Sequence, residues 1–430
     1  MSRTAWISRQ PTLLPGRPVS PRGLYLAMAA AYGVLTGPGL VIYGLYVVRE
    51  AGLSPLELVL VGTALEVAAF VGEVPTGVVA DAVSRRFSVV LSAFVSGFGF
   101  IIMGWSPTLG FIAAGQVIWG IGFTFRSGAR EAWLADEIGE IEAGRTFIRA
   151  AQLLEVGRLA SILPITGLAL IDLQAPFLVF GALNVVLGVG LLFTMTERDY
   201  RGVAVEDTSG RWSALVAPTV QGASLIRRRH TLLALAVAAV LLGAWSESLD
   251  RLWPLQVVEE IGLPSLGDLG EPGWFALIAL GTMVGGIVAA EVARRRVDVE
   301  SPAALSSALA VLTLVLMAAA LAFALAHQIW LALVAYWLTG WARVVMAPVA
   351  LAWVNRGLDP RSRATVLSMY SQADAIGQVA GGPGIGVLAQ LRGVVTALVT
   401  ATLLLGATLP LYRLAARDRA ELEEGAAPEA

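Results

Sequence analysis

The chain has 430 residues, 57% of them hydrophobic and only 14% charged, with a net charge of -2; soluble globular chains are usually about a quarter charged. It has no cysteine, and all 30 basic residues are arginine. Disulfides, thiolate metal sites, cysteine nucleophiles and Schiff-base or phosphate-loop lysines are thereby excluded, and no catalytic constellation, cofactor, metal or nucleic-acid partner is expected.

Apolar runs of ~20 residues, enough to cross a bilayer, recur along the whole length, so the chain reads as an all-α, multi-pass membrane protein. The predicted spans, numbered 1 to 12, are 22–48, 55–80, 87–105, 108–134, 146–170, 174–195, 231–256, 273–293, 302–326, 328–355, 364–389 and 393–413. Arg3, Arg9 and Arg17 precede the first span, which lacks a small-residue cleavage site and so is not a removable signal. The division that follows is an N-terminal segment (1–21), a six-helix half (22–195), a linker (196–230), a second six-helix half (231–413) and a tail (414–430). Within the linker, residues 211–226 fit either a surface amphipathic helix or a plain solvated segment.

The two halves carry an internal repeat. Residues 44–55 and 254–265 agree at six of twelve positions at an offset of 210. At the same offset Ala80-Asp81 and Arg85-Arg86 face Ala290-Glu291 and Arg295-Arg296; more loosely, at an offset of 220, Ala132-Trp133 ends span 4 as Ala352-Trp353 ends span 10. Of the 30 arginines, only Arg49 and Arg392 fall in loops after odd-numbered spans. Arg126, Arg158, Arg251 and Arg343 lie within spans, and the other 24 are on the opposite side. The positive-inside rule then places both termini and the linker in the cytoplasm.

A charge at the bilayer centre costs at least ~2.5 kcal/mol on insertion scales, so each one needs a partner or a watery cavity. Glu247, Asp250 and Arg251 on span 7 share a helix face, either as a self-neutralising gate or as a cavity wall for a polar substrate group. Glu155 and Arg158 on span 5 are spaced as an ion pair. Arg343, beside Trp341 on span 10, has no acid on its own helix, so its partner must come from another helix or the substrate. Arg126 and Arg130 stack one turn apart on span 4. Glu66 and Glu73 lie seven apart on span 2, and Asp374 on span 11 is flanked by Gln372 and Gln378. A buried carboxylate without a fixed cation can carry a proton, which makes Glu66, Glu73 and Asp374 proton-coupling candidates, with Glu155 a weaker one because Arg158, one turn away, would hold it ionised. Gly377, Gly381, Gly382, Pro383 and Gly386 suit span 11 to close packing or hinging. Gly37-Pro38-Gly39 and Pro75 mark breakable points, and His230 and His327 read as interfacial.

The loop at 77–86, Gly-Val-Val-Ala-Asp-Ala-Val-Ser-Arg-Arg, resembles the signature loop between helices 2 and 3 of the major facilitator superfamily, Gly-x-Leu-Ala-Asp-basic-x-Gly-basic-basic. Gly77, Ala80, Asp81, Arg85 and Arg86 match; Ala82 and Ser84 depart. The helix-4 arginine pattern is absent, with Gln116 ahead of Trp119-Gly120, and the antiporter pattern of helix 5 survives only as Gly157, Pro164 and Gly167. The resemblance, over residues 22–413, implies twelve helices in two halves. It puts helices 3, 6, 9 and 12 against lipid, which agrees with the absence of charge from those interiors. It also implies a gating network of Asp81, Arg85, Arg86 and Asp136, and contact between spans 2 and 11. That contact favours Glu73 and Asp374 over Glu66 and Glu155 for coupling. Arg126, Arg158, Glu247, Asp250, Arg251, Trp341 and Arg343 are the expected substrate-cavity residues. The function expected is a monomeric secondary transporter in the cytoplasmic membrane of a bacterium. It resembles multidrug-type exporters and moves a small molecule outward in exchange for protons by alternating access. The alternatives are an uptake transporter or a non-transporting receptor or scaffold.

Overall fold

The computed structural model describes residues 19–197, 224, 226–227, 229–298, 301–356, 358 and 360–424. Residues 1–18, nearly all of the linker and the end of the tail fall outside that description, and with them all but residues 224 and 226 of the stretch 211–226, expected as a surface helix or a solvated segment. All twelve expected spans are helical. Among the described residues, nine helices are long and apolar enough to cross a bilayer by length and composition. The other three have clear reasons to differ. Span 1 is broken into Pro21–Leu35, Gly37–Val41 and Tyr43–Leu45, ending in a π-turn at Tyr46–Glu50. Spans 5 (Glu140–Ala169) and 11 (Pro360–Arg392) are long and continuous but diluted by charged and polar residues.

Local sequence sets the helix ends. Pro55 opens span 2 (Pro55–Ala82), and Ser54 and Glu57 form a reciprocal capping box before it: the Ser54 amide donates to Glu57 Oε2 at 2.9 Å and the Glu57 amide to Ser54 Oγ at 3.4 Å. Ser84 caps span 3 (Arg85–Trp105) by accepting from the Phe87 amide at 2.9 Å, and Ser301 caps span 9 (Pro302–Ala324) by accepting from Ala304 at 3.2 Å. Span 1 breaks at Thr36–Gly37, where Gly37-Pro38-Gly39 was expected to allow it. Pro75 behaves differently and sits inside a continuous helix. Span 4 has a break that the sequence did not announce: Gly128, at φ 73°, separates Leu109–Arg126 from Ala129–Ile138.

The repeat is visible in the backbone. The π-turn Tyr46–Glu50 has its counterpart in Gln256–Ile261 at the end of span 7 (His230–Leu255), 210 residues on. Gly52 and Gly262, at the same offset, have φ of 58° and 77°, a conformation that glycine adopts without strain. Asp81–Arg85 and Glu291–Arg295 each form an i, i+4 ion pair. Trp133 and Trp353 are both fully buried.

By packing, the chain divides into two compact units, Met1–Tyr43 with Ala68–Glu206, and Gly44–Val67 with Asp207–Ala430. In the first, span 3 packs on spans 4 and 6 (Ala175–Thr194). Span 3 is more enclosed than a lipid-facing position implies: Ser88, Ser92 and Ser96 are buried, and Phe87, Phe98 and Trp105 are its exposed large apolar side chains. Spans 6 and 9 do present apolar stripes, such as Val179, Leu183 and Val186, and Val311, Leu314 and Val315.

The second unit holds the stretch that joins spans 1 and 2 as well as the C-terminal spans. Gly44 faces Pro254 and Phe275, and Val59 faces Gly382 and Gly386 of span 11. Arg49 grips Glu271, at the start of span 8 (Gly270–Arg296), with three hydrogen bonds of 2.6 to 3.1 Å. Spans 7 and 11 pack backbone to backbone, because Gly243 lies against the Asp374 carbonyl and Gly377 against the Val240 carbonyl. This is the close packing expected of the span 11 glycines.

Candidate functional site

Glu66, Glu247, Asp250, Arg251, Arg343 and Asp374 of the second unit come together where spans 2, 7, 10 (Ile329–Asn355) and 11 meet. Arg251 Nε donates to Glu247 Oε1 at 2.8 Å, and Arg251 Nη2 lies 3.9 Å from Glu66 Oε1 on span 2. Gly62 leaves room for this group, since a Cβ there would meet both Arg251 and Glu247. Glu247 is 2% exposed, the most enclosed carboxylate of the set. Arg343 finds its partner on another helix. Its Nη1 and Nη2 donate to Asp250 Oδ1 and Oδ2 at 2.6 and 2.8 Å, a two-pronged pair that fixes both side chains. The Arg343 guanidinium also lies 5.7 Å from the Trp245 ring.

Asp374 differs from these. The Gln378 amide donates to its Oδ2 at 2.7 Å, and no ion pair forms to it among the described residues. It lines a cavity of about 320 Å³ together with Asp250, Arg343, Ser246, Tyr370 and Tyr412, and with apolar Leu242, Met346 and Leu351. The cavity lies wholly within the second unit. Counted together, Glu66, Glu247, Asp250 and Asp374 are four acids against two cations, Arg251 and Arg343. Full ionisation would leave an excess of negative charge in the bundle, a costly state unless part of it is neutralised.

The other expected residues lie elsewhere. Trp341 does not line the cavity; it donates to the Gly281 carbonyl at 3.0 Å and packs on span 8. Glu73 is exposed and has no side-chain partner among the described residues, whereas Glu66, seven residues earlier, stands beside the span 7 acids. In the first unit Glu155 and Arg158 form a pair at 2.5 Å. Arg126 has no carboxylate at ion-pair distance among the described residues and instead lies 4.2 Å from the Tyr32 ring. Arg130, paired with Glu131 at 2.7 Å, sits over the Tyr25 ring at 5.1 Å. Cation–π contact of this kind holds a guanidinium in place where no acid does.

The signature loop forms a network in the first unit. Arg85 is ion-paired to Asp136, donates to the Ala132 carbonyl at 3.0 Å, and lies 3.8 Å from Asp81. Glu197, which the sequence reading passed over, completes it. Glu197 accepts from the Ser84 hydroxyl at 2.5 Å and from the Arg85 and Arg86 amides at 2.8 and 3.3 Å. A carboxylate is favoured there because the first amides of span 3 lack partners within their own helix. Arg86 reaches across to the Leu192 carbonyl at 2.7 Å.

The family model described as Major Facilitator Superfamily matches residues 24–320. The chain belongs to the major facilitator superfamily. It is a secondary transporter of small molecules and not an enzyme. This superfamily member is 21% identical over 396 residues to the uncharacterized MFS-type transporter YxaM of Bacillus subtilis (strain 168), covering 91% of this chain and 95% of that one. Its fold is similar to that of the nucleoside transporter NupG (TM-score 0.71, 13% identity, 93% of this chain and 98% of that one). It is also similar to a bacterial homolog of the human lysosomal transporter Spinster (TM-score 0.69, 16% identity, 94% and 98%).

Proposed function

We propose that this transporter exports its substrate in exchange for protons, by alternating access of the two repeats 22–195 and 231–413, with both termini and the linker in the cytoplasm. The observation that carries the coupling is the surplus of carboxylates in the second unit, four acids around two guanidiniums. A bundle of this kind is most stable with part of the surplus neutralised, and protons are the counter-charge available on both sides of a membrane. Asp374, which lines the cavity and forms no ion pair among the described residues, is the first coupling residue. Glu66 is the second, because it shares Arg251 with Glu247; Glu73 and Glu155 rank below it. Outward direction rests on the likeness of the signature loop and short interhelical loops to those of bacterial multidrug-type exporters. Asp81, Arg85, Arg86 and Asp136, with Glu197, serve as gating residues on the linker side.

The test begins with a library screen for compounds that raise the melting temperature of the purified protein, since a ligand that binds the folded state stabilises it. Flux of such a compound into proteoliposomes is then followed with and without a pH gradient, in wild type and in Glu66→Gln, Glu73→Gln and Asp374→Asn. Proton exchange predicts uphill accumulation that a protonophore abolishes and that Asp374→Asn lacks. Flux that ignores the gradient in wild type excludes coupling, and gradient-driven flux that survives Asp374→Asn and Glu66→Gln returns the assignment to Glu73 or Glu155.

A further inference from the structure

The cavity beside Asp374 is far larger than a proton requires. At about 320 Å³ it falls at the lower end of small-molecule pockets, roughly 300–1,000 Å³. Three charged residues line it, Asp250, Arg343 and Asp374. Both oxygens of Asp250 are taken by Arg343, and that guanidinium lies over the Trp245 ring at 5.7 Å. Two carboxylates against one guanidinium leave the wall net negative, and Asp374, which feels Arg343 only at a distance, forms no ion pair among the described residues.

From this pairing we infer that the cavity binds a small amphipathic organic cation, its positive head on Asp374 and its apolar body against Leu242, Met346 and Leu351. An anionic ligand would have to pull Arg343 away from a two-pronged carboxylate and leave Asp250 unpaired. A neutral ligand would shut ionised Asp374 away from water with only the Gln378 amide as partner, and so could enter only with a proton on that carboxyl. A cation meets neither difficulty. The aromatic residues fit the same head group: Tyr370 precedes Asp374 by one turn on span 11, within electrostatic reach of both Asp374 and Tyr412, and all three line the cavity. Aromatic faces beside a carboxylate attract ammonium groups, including quaternary ones that offer no hydrogen bond.

The inference rests on the transporter reading above, but its test is equilibrium binding to the full chain purified in detergent, which needs no proton flux. The probe is benzyltrimethylammonium, with phenylacetate as the anion bearing the same ring. The cation is expected to bind wild type and phenylacetate not to. Asp374→Asn is expected to weaken cation binding about tenfold or more, the range for losing a charge-assisted contact, while Asp374→Glu retains most of it. Should Asp374→Asn fail to fold, Tyr370→Leu takes its place, with a smaller loss expected. Absence of cation binding, preference for phenylacetate, or equal cation binding in wild type and Asp374→Asn each overturns the inference. Absence of cation binding in wild type with gradient-driven flux intact sinks this inference alone. Cation binding with flux indifferent to the gradient sinks only the proton coupling.

Discussion

Arg343 and Asp250 show how much a single residue discloses in advance. A lone arginine within an apolar span announces that it needs an acid from elsewhere. Nothing in the sequence says that the acid stands 93 residues earlier, on span 7. Because the pair closes a cavity wall, Arg343→Ala should lower stability by about 1–3 kcal/mol, the cost of an unpaired buried carboxylate reduced for the partial exposure of both side chains. The double variant Asp250→Ala with Arg343→Ala should lose less than the sum of the two single losses. Thermal melting of the four proteins in detergent checks this, and strictly additive losses would contradict it. Glu66 and Glu73 teach a related point. Seven residues apart, they share a helix face but differ by about 10 Å in height. Periodicity fixes the face and leaves the height open, and it is at the height of Glu66 that span 7 presents Glu247 and Arg251. Glu197 was illegible for a different reason: it meets the start of span 3 across 112 residues of chain, with no periodic signal. Glu197→Ala should cost about 1 kcal/mol of stability, as the loss of a helix N-cap does, again read by melting.

At the scale of elements, the repeat was legible as matching residues at an offset of 210. Its paired π-turns at Tyr46–Glu50 and Gln256–Ile261 were not, since a π-turn adds one residue to a single turn, and in a nearly all-apolar span that phase shift moves no polar residue that would mark it. The glycines of span 11 were legible as packing residues but not individually. Gly377 lies against the Val240 carbonyl of span 7, whereas nothing stands within 4 Å of a Cβ placed on Gly384. Gly377→Ala should therefore destabilise the protein by about 1–3 kcal/mol, the cost of overpacking. Gly384→Ala on the same helix should be neutral or stabilising by up to ~1 kcal/mol. Similar melting temperatures for the two variants would refute the close approach of spans 7 and 11.

For the whole molecule, twelve spans were readable because nine are apolar helices long enough to cross a bilayer, and spans 1, 5 and 11, though broken or diluted by charge, fall between them at the same spacing. The packing units were not readable. The stretch Gly44–Val67 belongs with the C-terminal spans because Gly44, Val59 and Gly62 meet Pro254, the span 11 glycines and the Glu247–Arg251 pair, contacts that no local pattern encodes. The proposed orientation is open to a clean test, since the chain has no cysteine. In intact cells a membrane-impermeant maleimide should label Ser265→Cys and spare Ser209→Cys; the reverse pattern would invert the topology.

The central claim, outward transport exchanged for protons through the acid surplus around Asp374, is tested most directly by the sign of proton movement. Proteoliposomes are loaded with a stabilising ligand and a trapped pH-sensitive dye, then diluted into ligand-free buffer of the same pH. Exchange predicts that protons enter as ligand leaves, so the lumen acidifies in wild type and does not in Asp374→Asn. A lumen that turns alkaline, or keeps its pH while ligand leaves, would contradict the account.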